Sequence, residues 1–359
     1  MYRATLIPGD GIGPEVIAAT QRVIAAAGIE IDWDVHHAGT EVEKLTGTPL
    51  PASVLESVRK HRVALKGPVG TPIGKGFKSV NVTLRQTLDL YANVRPIRSL
   101  PEVEKRFEVD MVIVRENTEG LYAGLELMIL PGVAQSIKLT TEKGSRRIAE
   151  FAFKYAERTG RKRVTIVHKA NIMKISDGLA LDCARKVAQN HPEVELAEMI
   201  VDAAAMTMVK DANRLGVLVT ENLYGDILSD LGAGLVGGLG IVPGANIGDD
   251  CAVFEAVHGS APDIAGKGLA NPTALVQSAV MMLVHLGEHD AARRIEEALT
   301  ELYRKGEVRT KDLGGNASTK QFTDALCWAV SGSPPPSVRG DEGDRSGSVA
   351  PASTPVRSG

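Results

Sequence analysis

Residues 5–16 read TLIPGDGIGPEV, an apolar strand-like run that breaks into glycines and then enters a helix. Ala4–Ile7 supplies the strand. Pro14 suits a first helical turn, where no amide donor is needed, and Gly28 suits the stop of a helix running from about Glu15 to Ala27. Strand, tight turn and helix in so few residues form the unit from which parallel α/β sheets are built. Gly9, Gly11 and Gly13 tempt a dinucleotide-binding reading, but their spacing is GxGxG where the fingerprint requires GxGxxG. Pro14 also removes a donor from the helix start, and no acidic residue closes the following strand in the expected register. A cofactor pyrophosphate is therefore not assigned to this turn.

The same alternation continues outward. Val63–Leu65, Met111–Val114, Val164–Val167 and Val217–Val219 are short apolar runs of strand type, and Ile295, Ala298, Leu299 and Leu302 form one stripe of a late helix. Each strand is followed by polar residues: Lys66-Gly67-Pro68, Arg115-Glu116-Asn117, His168-Lys169-Ala170-Asn171 and Thr220-Glu221-Asn222. Open parallel sheets bind ligands beyond the carboxyl ends of their strands, so these loops are expected to share one site. From Ser331 to Gly359 the chain turns to Pro, Ser, Gly and charged residues, too few of them apolar to offset the entropy of ordering. Residues 331–359 are expected to be a disordered tail.

At 359 residues the chain is long enough for two hydrophobic cores, since domains run to about 100–200 residues. Its formal net charge of −3 supplies no global basic field, so neither nucleic acid nor a membrane surface is expected as a partner. Any anion must be held locally. Cys183, Cys251 and Cys327 are odd in number, far apart and without a CxxC, which argues against disulfides or zinc and for a reducing compartment. With no room for a leader before the first strand and no apolar run of membrane-spanning length, a cytoplasmic location is expected.

Three constellations can carry chemistry. Asp226 and Asp230 stand four residues apart, on one helical face, directly after an apolar strand. Alone, such a pair also reads as a solvated helix face. With no His or Cys beside it, the pair offers hard oxygen ligands suited to Mg²⁺ or Mn²⁺, and Asp202 is a third candidate. Arg85, Arg95 and Arg115 lie in apolar or strand-end surroundings where an unpaired guanidinium would be costly. Their partners are either structural acids such as Asp89 and Glu116 or the carboxylates of a ligand, which the guanidinium fork matches two-pronged. Residues 255–272, EAVHGSAPDIAGKGLANP, form a polar, glycine-rich loop ahead of an apolar helix and suit close backbone approach to a cofactor.

Six motifs in fixed order, TLIPGDGIGPEV, SVNVTLRQTLDLYANVRP, VRENTEGLYAG, HKANIMK, NLYGDILSD and EAVHGSAPDIAGKGLANP, resemble the β-decarboxylating dehydrogenases acting on isocitrate, 3-isopropylmalate and homoisocitrate. The likeness covers about residues 3–330 and leans toward the NAD-linked isocitrate enzymes of the tricarboxylic acid cycle. It implies a two-domain α/β fold that is not Rossmann. A large cofactor-binding domain, with a mostly parallel sheet, would comprise residues 1–98 and 251–330, and a smaller domain residues 99–250. A homodimer at least is implied, with active sites shared between subunits. Matched position by position, the resemblance assigns Arg85, Arg95 and Arg115 to the substrate carboxylates, with Asn171 also at the substrate. Asp226, Asp230 and a partner-subunit Asp202 would hold Mg²⁺ or Mn²⁺. Tyr122 and a partner-subunit Lys169 would be the acid–base pair.

Substrate choice rests, by the same resemblance, on Ser79 and Asn81, which match positions that hydrogen-bond the third carboxylate of isocitrate; isopropylmalate enzymes present apolar residues there. A homoisocitrate enzyme is harder to separate, since one methylene gives only about 1–3 kcal/mol of discrimination. Tartrate as substrate, or a regulatory subunit that binds without turnover, complete the alternatives. The NAD site is expected to comprise Thr71, Glu255, His258, Gly259, Ser260, Ala261, Asp263, Ile264, Asn271 and Asp312. Asp263 would accept hydrogen bonds from the adenosine ribose and repel a 2′-phosphate, favouring NAD⁺ over NADP⁺.

Overall fold

The computed structural model describes residues 1–70, 79–105 and 107–332. Thr71 and the tail beyond residue 332 lie outside them; Ser331, expected to begin that tail, is instead the last residue of the final helix. In chain order the first half runs β1 (Tyr2–Ile7), α1 (Gly13–Ala26), β2 (Ile31–Val35), α2 (Thr40–Thr46), α3 (Ala52–His61), β3 (Val63–Lys66), α4 (Val80–Thr87), β4 (Ala92–Arg98) and β5 (Asp110–Glu116). Next come β6 (Gly120–Leu130), β7 (Val133–Leu139), α5 (Glu142–Arg158), β8 (Arg163–His168), α6 (Ser176–Ala188), β9 (Glu195–Ile200), α7 (Val201–Asp211), β10 (Val217–Thr220) and α8 (Asn222–Val236). The remainder is β11 (Pro243–Ile247), β12 (Ala252–Ala256), α9 (Thr273–His285), α10 (His289–Lys305) and α11 (Thr319–Ser331). All five strands expected from apolar runs are present, and α1 lies within two residues of its expected bounds.

Ten strands make one sheet in the order β2-β1-β3-β12-β11-β4-β5-β10-β8-β9. Six neighbouring pairs are parallel, and the three that join β12, β11, β4 and β5 at the centre are antiparallel. The sheet is continuous across the whole span, and the β11–β12 hairpin crosses residues 243–256 without a break. Alternate side chains of each strand enter separate cores. In β5, Met111 and Ile113 pack with α8 and α10, while Val112 and Val114 pack with α5. In β12, Ala252 and Phe254 pack with α1 and α9, while Val253, with Cys251 just before the strand, meets α3 and α4. A sheet buried on both faces explains why β3 and β10 read as continuous apolar runs and not as alternating ones.

The glycine-rich turn after β1 is a brace. A Cβ on Gly9 would stand 2.1 Å from the Pro68 carbonyl oxygen, and one on Gly11 would stand 1.9 Å from that of Ser260, so three loops close on one another only because these residues lack side chains. The Ile12 amide donates to the Ser260 carbonyl at 2.9 Å, and the Asp10 carboxylate accepts from the Thr40 and Gly70 amides. Separate from the main sheet, β6 and β7 pair as a two-stranded ribbon.

Candidate active site

The central antiparallel strands place Arg95 on β4 and Arg115 at the end of β5 on the face covered by α8, while Arg85 arrives from the last turn of α4. All three line one cleft of about 240 Å³, together with Ser79, Asn81, Tyr122 and Asp226. They are 8, 6 and 1% exposed, so their charges are almost wholly removed from water. Neither acid named as a structural partner takes that role: Asp89 binds Arg147, and Glu116 accepts from the Thr118 and Glu119 amides. Burial, then the neighbouring Arg115 and Arg85, push the Arg95 guanidinium down to about 10, so it remains cationic at neutral pH. The Nε atoms of Arg85 and Arg95 and the Oδ1 of Asn81 are buried with no hydrogen-bond partner. Buried donors beside a cleft that are left unmatched by protein fit a ligand that supplies acceptors.

Each arginine is braced from behind. Arg115 donates from Nε and NH2 to Asn222 Oδ1 at 3.0 and 2.7 Å, from NH1 to Asp226, and lies 5.1 Å over the Tyr122 ring. Arg95 donates to Ser229 and lies 3.7 Å from Asp226 Oδ1 and 3.6 Å from Asp230 Oδ1, so one turn of α8 aims two carboxylates at a single cation. Arg85 reaches Glu255 Oε1 at 2.9 Å, and Lys66 reaches Glu255 Oε2 at 2.5 Å. Glu255, expected at the cofactor, is thus 6% exposed in the lining of this first cleft, its carboxyl driven well below the ordinary range because Lys66 and Arg85 outweigh desolvation.

The acidic groups differ in environment. Burial raises Asp226, but Arg115, the Tyr122 hydroxyl and Arg95 outweigh it and hold the carboxyl below its usual range; burial raises Asp230, which lacks equivalent partners. The Tyr122 hydroxyl donates to Asp226, and burial with that bond raises its pKa. Two hard carboxylates on one helix face suit a divalent cation, although among the described residues no group of three metal-ligating side chains assembles within the chain. Asp202, at the start of α7, pairs with Lys169. Neither lines the cleft, and nor does Asn171 in the exposed turn after β8.

A second cleft of about 230 Å³ is lined by His258, Gly259, Ala261, Ile264, Asn271 and Asp312, with Ile12, Gly240, Leu269 and Ala270. It shares His258 and Gly259 with the first cleft, so the two spaces adjoin. Burial lowers the His258 pKa and favours the neutral ring, whose Nε2 is buried without a partner. Asn271 is fixed by its bond to Asp312 at 3.0 Å. Ser260 and the exposed Asp263 lie in the same loop outside the lining. Lys66, Asn93, Asn222 and Ser229 had no assigned role in the sequence reading; Lys66 carried a signal, being a charge at the end of the wholly apolar VAL run of β3.

The isocitrate/isopropylmalate dehydrogenase family model matches residues 3–326. The "Isocitrate dehydrogenase [NAD] catalytic subunit 5, mitochondrial" of Arabidopsis thaliana is 53% identical over 326 residues, covering 90% of this chain and 87% of that protein. The chloroplastic 3-isopropylmalate dehydrogenase of Solanum tuberosum is 52% identical over 310 residues, covering 86% of this chain and 87% of that protein. A crystal structure of isocitrate dehydrogenase from Methylococcus capsulatus superposes with a TM-score of 0.90 at 53% identity, over 92% of this chain and all of that one. The expected cytoplasmic location is overturned by the mitochondrial name of the Arabidopsis protein and others like it. Unpaired cysteines mark a reducing compartment, which the mitochondrial matrix is as much as the cytosol, so they could not separate the two. With a non-Rossmann, mostly parallel α/β sheet and a site at its strand ends, this chain belongs to the isocitrate/isopropylmalate dehydrogenase family.

Proposed function

We propose that this chain oxidises and decarboxylates isocitrate to 2-oxoglutarate and CO₂ with NAD⁺ as hydride acceptor. The observation that carries this reading is the convergence of three buried guanidiniums, those of Arg85 and Arg95 with an unmatched Nε donor, on a cleft also lined by Ser79 and Asn81. Polar lining favours a third carboxylate over the branched alkyl group of 3-isopropylmalate, against which buried donors would go unpaired. Arg85, Arg95 and Arg115 bind and orient the substrate, and Asp226 and Asp230 would hold Mg²⁺ or Mn²⁺ with Asp202 of the partner subunit. When bound there, a divalent cation would supply Lewis-acid chemistry, favouring the ionised form of a substrate hydroxyl and negative charge on neighbouring oxygens. Lys169 of the partner subunit takes the hydroxyl proton, and Tyr122 returns one to the carbon that loses CO₂. The loop from His258 to Asn271 binds the NAD, with Asp263 at the ribose.

The assembly we propose is at least a dimer of this chain. Lys169 and Asp202 are absent from their own chain's cleft, and the β6–β7 ribbon exposes Leu125, Leu127, Met128, Ile129 and Leu130. A two-stranded ribbon with so much apolar surface is marginal alone and is stabilised by a second copy. The regulatory-subunit reading is disfavoured because Tyr122, Lys169 and all three aspartates are present. The test is NADH formation by the purified chain with Mn²⁺ on isocitrate, homoisocitrate, 3-isopropylmalate and tartrate. Isocitrate is expected to give the highest kcat/KM; turnover of none of the four would support the regulatory reading instead.

A further inference from the structure

Lys169 sits in a turn, between β8 and α6, that must hold its side chain to a fraction of an ångström if it is to move a proton. The described backbone of this turn is tied down at one carboxylate. Asp177, in the first turn of α6 and 3% exposed, accepts the Lys169 backbone amide at 2.6 Å on Oδ2 and the Lys138 ammonium at 2.6 Å on Oδ1. The Tyr224 hydroxyl lies 3.4 Å from the same Oδ2, and Lys138 stands 4.8 Å over the Tyr224 ring and 4.0 Å from Glu221 Oε2. Four elements therefore meet at Asp177: the turn of Lys169, helix α6, ribbon strand β7 through Lys138, and α8 through Tyr224, two residues before Asp226. A carboxylate buried beneath a turn, with two close donors held at 2.6 Å, offers little freedom to either.

We infer that Asp177 is a positioning residue for Lys169, its carboxylate holding the Lys169 amide in register with the helix that carries Asp226 and Asp230. This rests on the reading of Lys169 as the proton acceptor. Because Lys169 is assigned to the partner's cleft and α8 to the chain's own, Asp177 also joins the two catalytic centres that one chain serves.

The test separates the hydrogen bond from the charge. Lys138→Met is combined with Asp177→Asn, which keeps an oxygen acceptor of the same shape, or with Asp177→Leu, which does not. Both double variants are free of the buried ion pair. The Asn form is expected to keep kcat with isocitrate and NAD⁺ within about threefold of wild type, and the Leu form to lose at least about tenfold in kcat with KM little changed. On a Lys169→Met background the difference between the Asn and Leu forms should vanish, since residues acting as a unit are non-additive. Equal kcat in the two forms, or a difference that survives on the Lys169→Met background, overturns the inference. Wild-type turnover by Lys169→Met alone would instead remove the role given to Lys169, a separate failure. Independently of any variant, the Lys169 amide should resist hydrogen exchange in the wild-type protein, and rapid exchange there contradicts the bond to Asp177.

Discussion

Replacing Glu255 with Gln tests whether the cleft floor is an ion triad. The substitution keeps the shape and one acceptor oxygen but removes the only carboxylate within salt-bridge distance of Lys66 or Arg85 among the described residues, at 2.5 and 2.9 Å. Lys66 is 1% exposed and Arg85 8%, so solvent cannot take over the role of counter-charge. Removing one member of a buried ion pair typically costs about 3–5 kcal/mol, because the partner's charge is left uncompensated. Unfolding entropy of ~2.1 cal/mol/K per residue, over 359 residues, is about 0.75 kcal/mol/K, so the melting temperature should fall by about 4–7 °C. The pH dependence fixes the cause. Glu255 is depressed in the folded protein, so its contribution is fully present above the unfolded carboxyl value of about 4.3 and is lost as pH falls toward the folded value. Thermal scans of both proteins should therefore show a gap that is constant above about pH 5.5 and narrows steadily below about pH 4. A Gln variant melting within about 1 °C of wild type, or a gap indifferent to acid, would refute the triad as a source of stability.

Arg95→Met removes a two-pronged charged donor and should lower kcat/KM for isocitrate by roughly 30- to 150-fold, about 2–3 kcal/mol, measured by initial rates; a loss under threefold would mean that Arg95 serves only Asp226 and Asp230. Tyr122→Phe deletes one oxygen that a general acid needs, and kcat should fall by about 10²–10⁴ while the Kd for NADH from fluorescence titration stays put; unchanged kcat would dismiss Tyr122 from proton transfer. Asp263→Lys should abolish the preference for NAD⁺ over NADP⁺ in kcat/KM, and unaltered coenzyme selectivity would remove Asp263 from the ribose.

The fold was legible where strands are buried on both faces, because runs such as Val217–Val219 have no competing helical period and end in polar loops. It was not legible at β4 and β11, where Asn93, Arg95 and Asn246 interrupt the apolar pattern. The asparagines are tolerated because Asn93 and Asn117 both donate to Asn246 Oδ1, at 2.9 and 3.0 Å, and Asn246 donates to Glu255 at 2.7 Å. Such satisfaction depends on strands more than a hundred residues apart and leaves no local mark. The β6–β7 ribbon was missed for a related reason, since its apolar residues face outward and alternate with nothing. The arginines and α8 aspartates announced themselves through residue type and strand-end position, but the partnership of Lys66 with Glu255 needed the pairing of β3 with β12 in register. Lys169 and Asp202 stand outside their own chain's cleft, and only the resemblance, which gives both to the partner subunit, anticipated that.

One measurement bears on the central claim without intermediaries: a crystal structure of the assembled protein with isocitrate and a divalent cation. Substrate carboxylate oxygens should lie within hydrogen-bond distance of Arg85, Arg95 and Arg115, with the cation between the substrate hydroxyl and Asp226 and Asp230. Isocitrate bound elsewhere, or gripped there by a single arginine with the α8 carboxylates unliganded, would contradict the account.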